Sequence, residues 1–233
     1  MARVSSRTRF ASLQKVFAQG RSPVMDGIAQ LSVLYEDLRI ETFALTASDE
    51  EVKRLDCLDK RYRVHYFLRR SIATLFEFRG ALIKTMKTAE FRAAHRAATD
   101  ANAPLSLKSQ KMLFDKIAGS LRFFERHHQQ IKALRNAVGG HFGDDAAALA
   151  TRNLHPDATS KLEIIFHPSG KGGGPKLYYA GEIAATAFTK TLPGLKPSAE
   201  EIADTIQMIR EAYSHATQAM HALIVLFLWD RFA

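Results

Sequence analysis

The stretch SAEEIADTIQMIREAYSHATQAMHALIVLF, residues 198–227, carries the strongest fold signal in this chain. Its apolar side chains recur in alternating steps of four and three residues, at Ile202, Ile206, Ile209, Tyr213, Ala216, Met220, Leu223 and Phe227. This spacing places them on one face of a helix and forms a heptad seam. Ser198 followed by Glu201 is typical of a capping box at a helix start. Because antiparallel bundles use the same spacing as coiled coils, we expect the C-terminal helix of a bundle.

Three segments earlier in the chain also show helical periodicity. Ser22 and Pro23 are typical of an N-cap and a first helical position, and apolar steps of three and four residues follow. A second helix is predicted over residues 60–87, and a third over residues 107–138, where Gly139 and Gly140 end it. Together with the last helix, these segments predict an all-α fold, a bundle of four or five main helices.

The sequence pattern changes after residue 160. The segments KLEIIF (residues 161–166) and KLYYA (residues 176–180) are rich in residues that favour strands, and a glycine-rich stretch separates them. We therefore expect a small β-hairpin at about residues 161–180, inserted before the C-terminal helix. Residues 1–22 are predicted to be a basic, disordered tail, and residues 23–233 a single helical-bundle domain.

Composition is that of an ordinary globular protein, with 46% hydrophobic and 24% charged residues. Cys57 is the single cysteine, so a framework of intramolecular disulfides is excluded. The first twenty residues lack the apolar run of a secretory signal. The longest apolar run, ALIVLFLW at residues 222–229, is shorter than the roughly twenty residues of a membrane span. We expect a cytoplasmic protein with no membrane partner, and this run as the buried end of the last helix.

The charge balance favours a polyanionic partner. Lysine and arginine number 33 against 24 acidic residues, which gives a formal net charge of +9. The basic residues are concentrated in residues 1–25, 60–96 and 105–135, whereas residues 36–59 are acidic. Such a balance is typical of proteins that bind nucleic acid or acidic lipid headgroups, although many basic proteins bind neither.

The segment LRNAVGGHF, residues 134–142, contains the best candidate catalytic residues, Arg135, Asn136 and His141. An arginine guanidinium can hold a phosphate through two parallel hydrogen bonds. A histidine can take a proton from a 2′-hydroxyl near neutral pH, and an amide can orient either group. These residue types therefore point to RNA cleavage by internal transesterification, with neither a metal nor another cofactor.

An all-α bundle with R-N-x4-H at a helix end resembles the HEPN superfamily (higher eukaryotes and prokaryotes nucleotide-binding domains). Many members are ribonucleases of toxin–antitoxin, abortive-infection and CRISPR systems, and their signature is an arginine, four to six residues, then histidine. The resemblance implies that His141 is a general base, Arg135 a phosphate anchor and Asn136 an orienting group. It also implies a homodimer in which two motifs form one composite site, with RNA as substrate and an antitoxin-like protein as partner.

Other interpretations of the same residues stay open. Gly139 and Gly140 would also serve as a helix C-cap, with Arg135 and His141 stabilising the helix end through its dipole. A degenerate site would bind RNA without cleaving it, and His141 with two nearby aspartates is a weaker candidate for a divalent cation. For the whole chain, the alternatives are a non-catalytic helical interaction module and plain nucleic-acid binding through the basic segments.

Overall fold

The computed structural model describes residues 22–46, 60–100, 105–136, 162–165, 174–177 and 199–228. Within these ranges the chain is mainly helical. The helices are α1 (Pro23–Thr46), α2 (Lys60–Met86), α3 (Ala89–Thr99), α4 (Leu105–Arg126), α5 (His128–Leu134) and α6 (Ala199–Leu223). Residues Ile224–Leu228 continue α6 as a wider π-helical segment. The predicted helical class is therefore confirmed for the part of the chain described.

The helix starts follow local sequence signals. Helix α1 begins at Pro23, as predicted, and the carbonyl oxygen of Ser22 accepts the first backbone hydrogen bonds, from Met25 and Asp26. Helix α3 was not predicted as a separate element, and Thr88 caps it. The Thr88 hydroxyl accepts a hydrogen bond from the backbone N–H of Phe91 at 3.3 Å. This cap supplies an acceptor for an N–H group that has no partner within the helix.

The predicted third helix is two helices in the structure. Helix α4 ends at Arg126, and His127 takes backbone angles of φ −94° and ψ 4° before α5 begins at His128. Those angles lie in the sparsely populated bridge region, outside the helical one. No glycine or proline marks this break, and the apolar periodicity of the sequence runs across it. The sequence therefore predicted one continuous helix.

Two short strands, β1 (Leu162–Ile165) and β2 (Gly174–Leu177), pair antiparallel. In the register Leu162 lies opposite Leu177, and Ile165 lies opposite Gly174. Residues 166–173, which would form the tip of the hairpin, lie outside the described residues, so the complete inserted hairpin stays a prediction.

The chain divides into two compact units. Unit 1 contains residues 1–35, 78–125 and 214–233, and unit 2 contains residues 36–77 and 126–213. Residues 1–21, all of the predicted tail except Ser22, lie outside the described ranges. The predictions of a tail and of a single domain thus stay predictions.

Unit 1 has an aromatic core. The ring centroid of Phe91 lies 5.2 Å from that of Phe114 and 5.9 Å from that of Phe227, and Phe78 and Phe124 pack 5.6 Å apart. Phe78 and Phe124 are fully buried. These separations are those at which aromatic pairs add a favourable interaction beyond the burial of their area.

Two close contacts fix the helices of unit 1. A methyl group added to Gly27 on α1 would overlap the Thr85 side chain on α2, so the two helices approach to a distance that only glycine permits. The buried Ser120 hydroxyl on α4 donates a 2.8 Å hydrogen bond to the backbone carbonyl oxygen of His215 on α6.

Unit 2 has a more polar interior. Its buried apolar side chains are Leu38, Leu68, Ile72, Leu75, Ile131, Leu134, Met208, Ile209 and Ala212. Most buried polar side chains of the described residues also belong to this unit: Glu41, Thr42, Arg63, Ser71, Thr74 and Thr205. Burying a polar group costs free energy unless it is paired. The buried polar side chains of unit 2 are therefore candidates for a functional role.

The expected burial of the apolar run at residues 222–229 is only partly correct. Ala222, Leu223 and Leu228 are buried, but Ile224 is 37% exposed and Val225 is 40% exposed. One face of a helix or π-helical segment points away from the core whatever its composition, which explains the exposed pair.

Candidate functional site

Arg135, the first residue of the predicted catalytic motif, lies directly after α5. Its backbone is helical, and its N–H donates to the carbonyl oxygens of Ile131 and Lys132. Its guanidinium carbon lies 4.5 Å from the ring centre of Phe76 on α2. At this separation the ring attracts the cation, an interaction of about 0.5–2 kcal/mol depending on solvent exposure. The contact holds the guanidinium at a defined place in unit 2.

No acidic side chain of the described residues engages the hydrogen-bonding groups of Arg135. Among the described residues no carboxylate forms an ion pair with it, and the side chain is partly exposed. A guanidinium that packs on an aromatic ring keeps its N–H groups for partners at its edge, and this planar fork matches two oxygens of a phosphate. The stacked Arg135 is therefore suited to binding an oxyanion.

Of the other two predicted site residues, the structure describes Asn136 but not His141. Asn136 follows Arg135 and is exposed, so its amide is accessible to solvent. His141 lies outside the described residues, as do Gly139 and Gly140. The structure thus brings Arg135 and Asn136 to one end of α5, and the convergence of His141 with them stays a prediction.

A second histidine, His128, packs on the same phenyl ring as Arg135. Its ring centroid lies 5.9 Å from that of Phe76, and the two rings are inclined by 26°. The Nδ1 atom of His128 is buried and has no hydrogen-bond partner among the described residues. His128 and Arg135 are seven residues apart, so they share one face across the turns of α5.

Sequence analysis did not assign His128 or Phe76 to the site. The seven-residue spacing of His128 and Arg135 was the available signal, because residues i and i+7 fall on one side of a helix. Phe76 offered no such signal, since an aromatic residue on a helix is most often part of the core. Only the packing of α5 against α2 brings the three side chains together.

Among the described carboxyl groups of unit 2, that of Glu41 on α1 is the one with a clearly shifted pKa. Its side chain is 6% exposed, and the Thr74 hydroxyl donates a 3.0 Å hydrogen bond to Oε1. The Arg70 Nε lies 3.5 Å from the same oxygen, whereas Oε2 is buried with no hydrogen-bond partner in the described part of the chain. Burial raises the pKa of Glu41 from 4.5 to about 7, although the Thr74 hydrogen bond and Arg70 act in the opposite direction.

The position of Glu41 in the helical repeat of α1 was a signal that its side chain is buried. Glu41 is three residues after Leu38 and seven after Leu34, both buried, so it occupies a position of the buried face. A carboxylate at such a position is usually read as a break in the apolar stripe. In the structure it is buried beside Thr74.

The described residues contain no group of three or more histidine, cysteine, aspartate or glutamate side chains that could hold a metal ion. The alternative cation site at His141 falls outside them. None of the helices in the described ranges is long and apolar enough to cross a membrane. Comparisons of the chain with protein-family models, with curated proteins and with solved structures found no match.

Proposed function

We propose that this protein acts on RNA as a HEPN-like, metal-independent endoribonuclease, with Arg135 as the residue that binds the scissile phosphate. The observation that supports this most is the position of Arg135 on the Phe76 ring, 4.5 Å away, with no acidic partner among the described residues. The net charge of +9 favours the same class of ligand.

In the proposed reaction the 2′-hydroxyl oxygen attacks the adjacent phosphorus, and the bond from phosphorus to the 5′-oxygen breaks. His141 takes the proton of the 2′-hydroxyl, and the 5′-oxygen leaves with a proton from water. Arg135 stabilises the charge that builds on the non-bridging oxygens, and Asn136 orients the phosphate or the base. The products are a 2′,3′-cyclic phosphate and a 5′-hydroxyl end, so atoms and charges balance without an oxidant or a metal.

The test is cleavage of labelled single-stranded RNA in EDTA by wild type and by His141→Ala, Arg135→Ala and Arg126→Ala. Arg126 is an exposed arginine at the end of α4 and serves as the matched control. We expect the first two variants to lose at least about a hundredfold in rate and the control to keep the wild-type rate. Unchanged cleavage by Arg135→Ala would contradict the assignment.

Two further variants test the role of the aromatic support. Arg135→Lys keeps the charge but loses the planar fork, and Phe76→Leu keeps an apolar side chain but removes the ring that holds the guanidinium. We expect both to slow cleavage by about tenfold, less than removal of the charge, because positive charge remains near the phosphate. Wild-type rates for both would mean that the stack has no part in binding the phosphate.

The proposal includes the homodimer and the antitoxin-like partner that the resemblance implies. In such a dimer two Arg135 side chains, one from each copy, would belong to one composite site. Sedimentation velocity at micromolar concentration gives the oligomeric state, and mixing Arg135→Ala with His141→Ala tests whether a site is shared. A shared site predicts partial recovery of cleavage in the mixture, and two separate sites predict none.

A non-catalytic interaction module is the second candidate function, and a different observation favours it. Within unit 2, Ile40 is 57% exposed and Phe43 is 62% exposed, both on α1. Large apolar side chains this exposed are frequent where another protein binds. If Ile40→Glu lowers the sedimentation coefficient while RNA cleavage is absent in wild type, the interaction module is the better description.

A further inference from the structure

The surface of unit 1 contains a basic cleft that the proposed cleavage reaction does not use. It has a volume of about 480 Å³ and is lined, within the described residues, by Ala89, Arg92, His95 and Arg96. All four belong to α3, and all four are exposed. Residues three and four apart on a helix are neighbours on its surface, so Arg92, His95 and Arg96 form one patch.

The side chains of the cleft are held in place to different degrees. Both Nε and Nη2 of Arg92 donate to the backbone carbonyl oxygen of Lys87, just after the end of α2, with Nε at 3.0 Å. The ring of His95 lies edge-on to Phe114, with centroids 5.1 Å apart, and Phe114 is itself 2% exposed. Two members of the patch are therefore fixed by contacts with neighbouring segments.

Arg96 is the member of the patch for which the described part of the chain supplies no fixed contact to the guanidinium. No described carboxylate forms an ion pair with Arg96. The acidic residue of the same helix, Glu90, is partly buried and accepts a 3.4 Å hydrogen bond from the Ser22 hydroxyl. The basic groups of the cleft thus face a space into which no acidic side chain of the described lining projects.

We propose that this cleft binds the phosphate backbone of a single-stranded RNA. Adjacent cations on one exposed helix face can contact neighbouring phosphates of an extended strand, whereas a free nucleotide is usually enclosed over most of its surface. His95 adds an exposed ring on which a base can stack, a contact common in the recognition of single strands. The choice of RNA rests on the proposed function, while the claim that the cleft binds a polyanionic strand rests on Arg92, His95 and Arg96.

The test measures binding separately from cleavage. A fluorescein-labelled single-stranded RNA is titrated with protein and followed by anisotropy, and every variant carries His141→Ala so that the probe stays intact. The variants are Arg96→Ala, Arg96→Lys and Arg122→Ala. Arg122 is an exposed arginine on α4 of unit 1 and does not belong to the described lining of the cleft. It is the matched control for the loss of one charge. Far-ultraviolet circular dichroism checks that all variants are folded.

The salt dependence gives the decisive result. For a single strand, the slope of log affinity against log salt concentration changes by about 0.7 for each phosphate contact. We expect Arg96→Ala to bind about tenfold more weakly and to lose about 0.7 from this slope. Arg96→Lys should keep the slope because it keeps the charge, and Arg122→Ala should match wild type in both quantities.

Three outcomes would overturn the proposal. One is an RNA-binding curve of Arg96→Ala that coincides with the binding curve of Arg122→Ala. Another is Arg96→Lys losing as much slope as Arg96→Ala, because a phosphate contact depends on the charge. The last is displacement of the strand by uridine monophosphate as readily as by unlabelled RNA, which would make the cleft a nucleotide pocket. If wild type binds as expected but cleaves no RNA, the proposed reaction fails while the cleft stands.

Discussion

Replacing Glu41 with glutamine tests a buried carboxyl group whose pKa is clearly raised. The wild-type carboxyl is buried on α1, accepts the Thr74 hydrogen bond and lies 3.5 Å from the Arg70 Nε. Burial raises its pKa to about 7. Glutamine has the same shape and keeps an oxygen for the Thr74 hydroxyl to donate to, but it cannot ionise. The variant therefore removes the titration while retaining the contact.

The magnitude follows from the two pKa values. Below pH 4.5 the carboxyl is protonated in both the folded and the unfolded chain, so it causes no pH dependence. Between pH 4.5 and about 7 the unfolded chain ionises while the folded one keeps its proton, so each pH unit removes about 1.4 kcal/mol of stability. Above pH 7 both forms are ionised, and the loss reaches a plateau. The difference of 2.5 pKa units from 4.5 to 7 corresponds to about 3 kcal/mol.

The measurement is urea denaturation followed by circular dichroism at several pH values between 4.5 and 8.5. We expect the stability of Glu41→Gln relative to wild type to rise by about 3 kcal/mol across this range. Subtracting the two curves removes the titration of all other groups that the substitution leaves alone. The matched control is Glu36→Gln, which replaces an exposed carboxylate on the same helix that pairs with the exposed Arg39.

The control should give a stability difference from wild type that is small and nearly constant, because an exposed ion pair contributes little. The reasoning is refuted if the difference between Glu41→Gln and wild type does not change with pH. It is also refuted if that difference falls as the pH rises, since such a sign would mean that folding favours the ionised carboxylate.

Four substitutions in unit 1 test its close contacts, its open helix surface and its buried hydrogen bond. Gly27→Ala should lower the free energy of unfolding by about 1–3 kcal/mol, because the new methyl group overlaps Thr85, and Thr85→Ala should restore part of the loss. Gly80→Ala adds a methyl group in open space, so thermal denaturation should show equal or higher stability, by up to about 1 kcal/mol. Ser120→Ala should cost about 1–2 kcal/mol in urea denaturation, since the hydrogen bond to the His215 carbonyl is lost, and no measurable cost would contradict this role.

The sequence pattern identified some residues of the candidate site and missed others. The sequence singled out Arg135 and Asn136, and the structure places both at the end of α5 with the guanidinium beside Phe76. The sequence could not assign Phe76, because nothing in the pattern of α2 distinguishes a ring that supports an arginine from a ring of the core. His128 was detectable only in principle, through its spacing from Arg135 along one helix.

The sequence by itself determined the local elements. Pro23 after Ser22, the periodicity from Lys60 onwards and the seam of residues 202–227 set the helices α1, α2 and α6, because caps and the 3.6-residue repeat act over one or two turns. The tertiary structure decided the rest. The burial of Glu41 beside Thr74 and the contact of Arg135 with Phe76 depend on which helices pack together. Such contacts join residues far apart in the chain, and their free energies depend on packing and desolvation that no local pattern encodes.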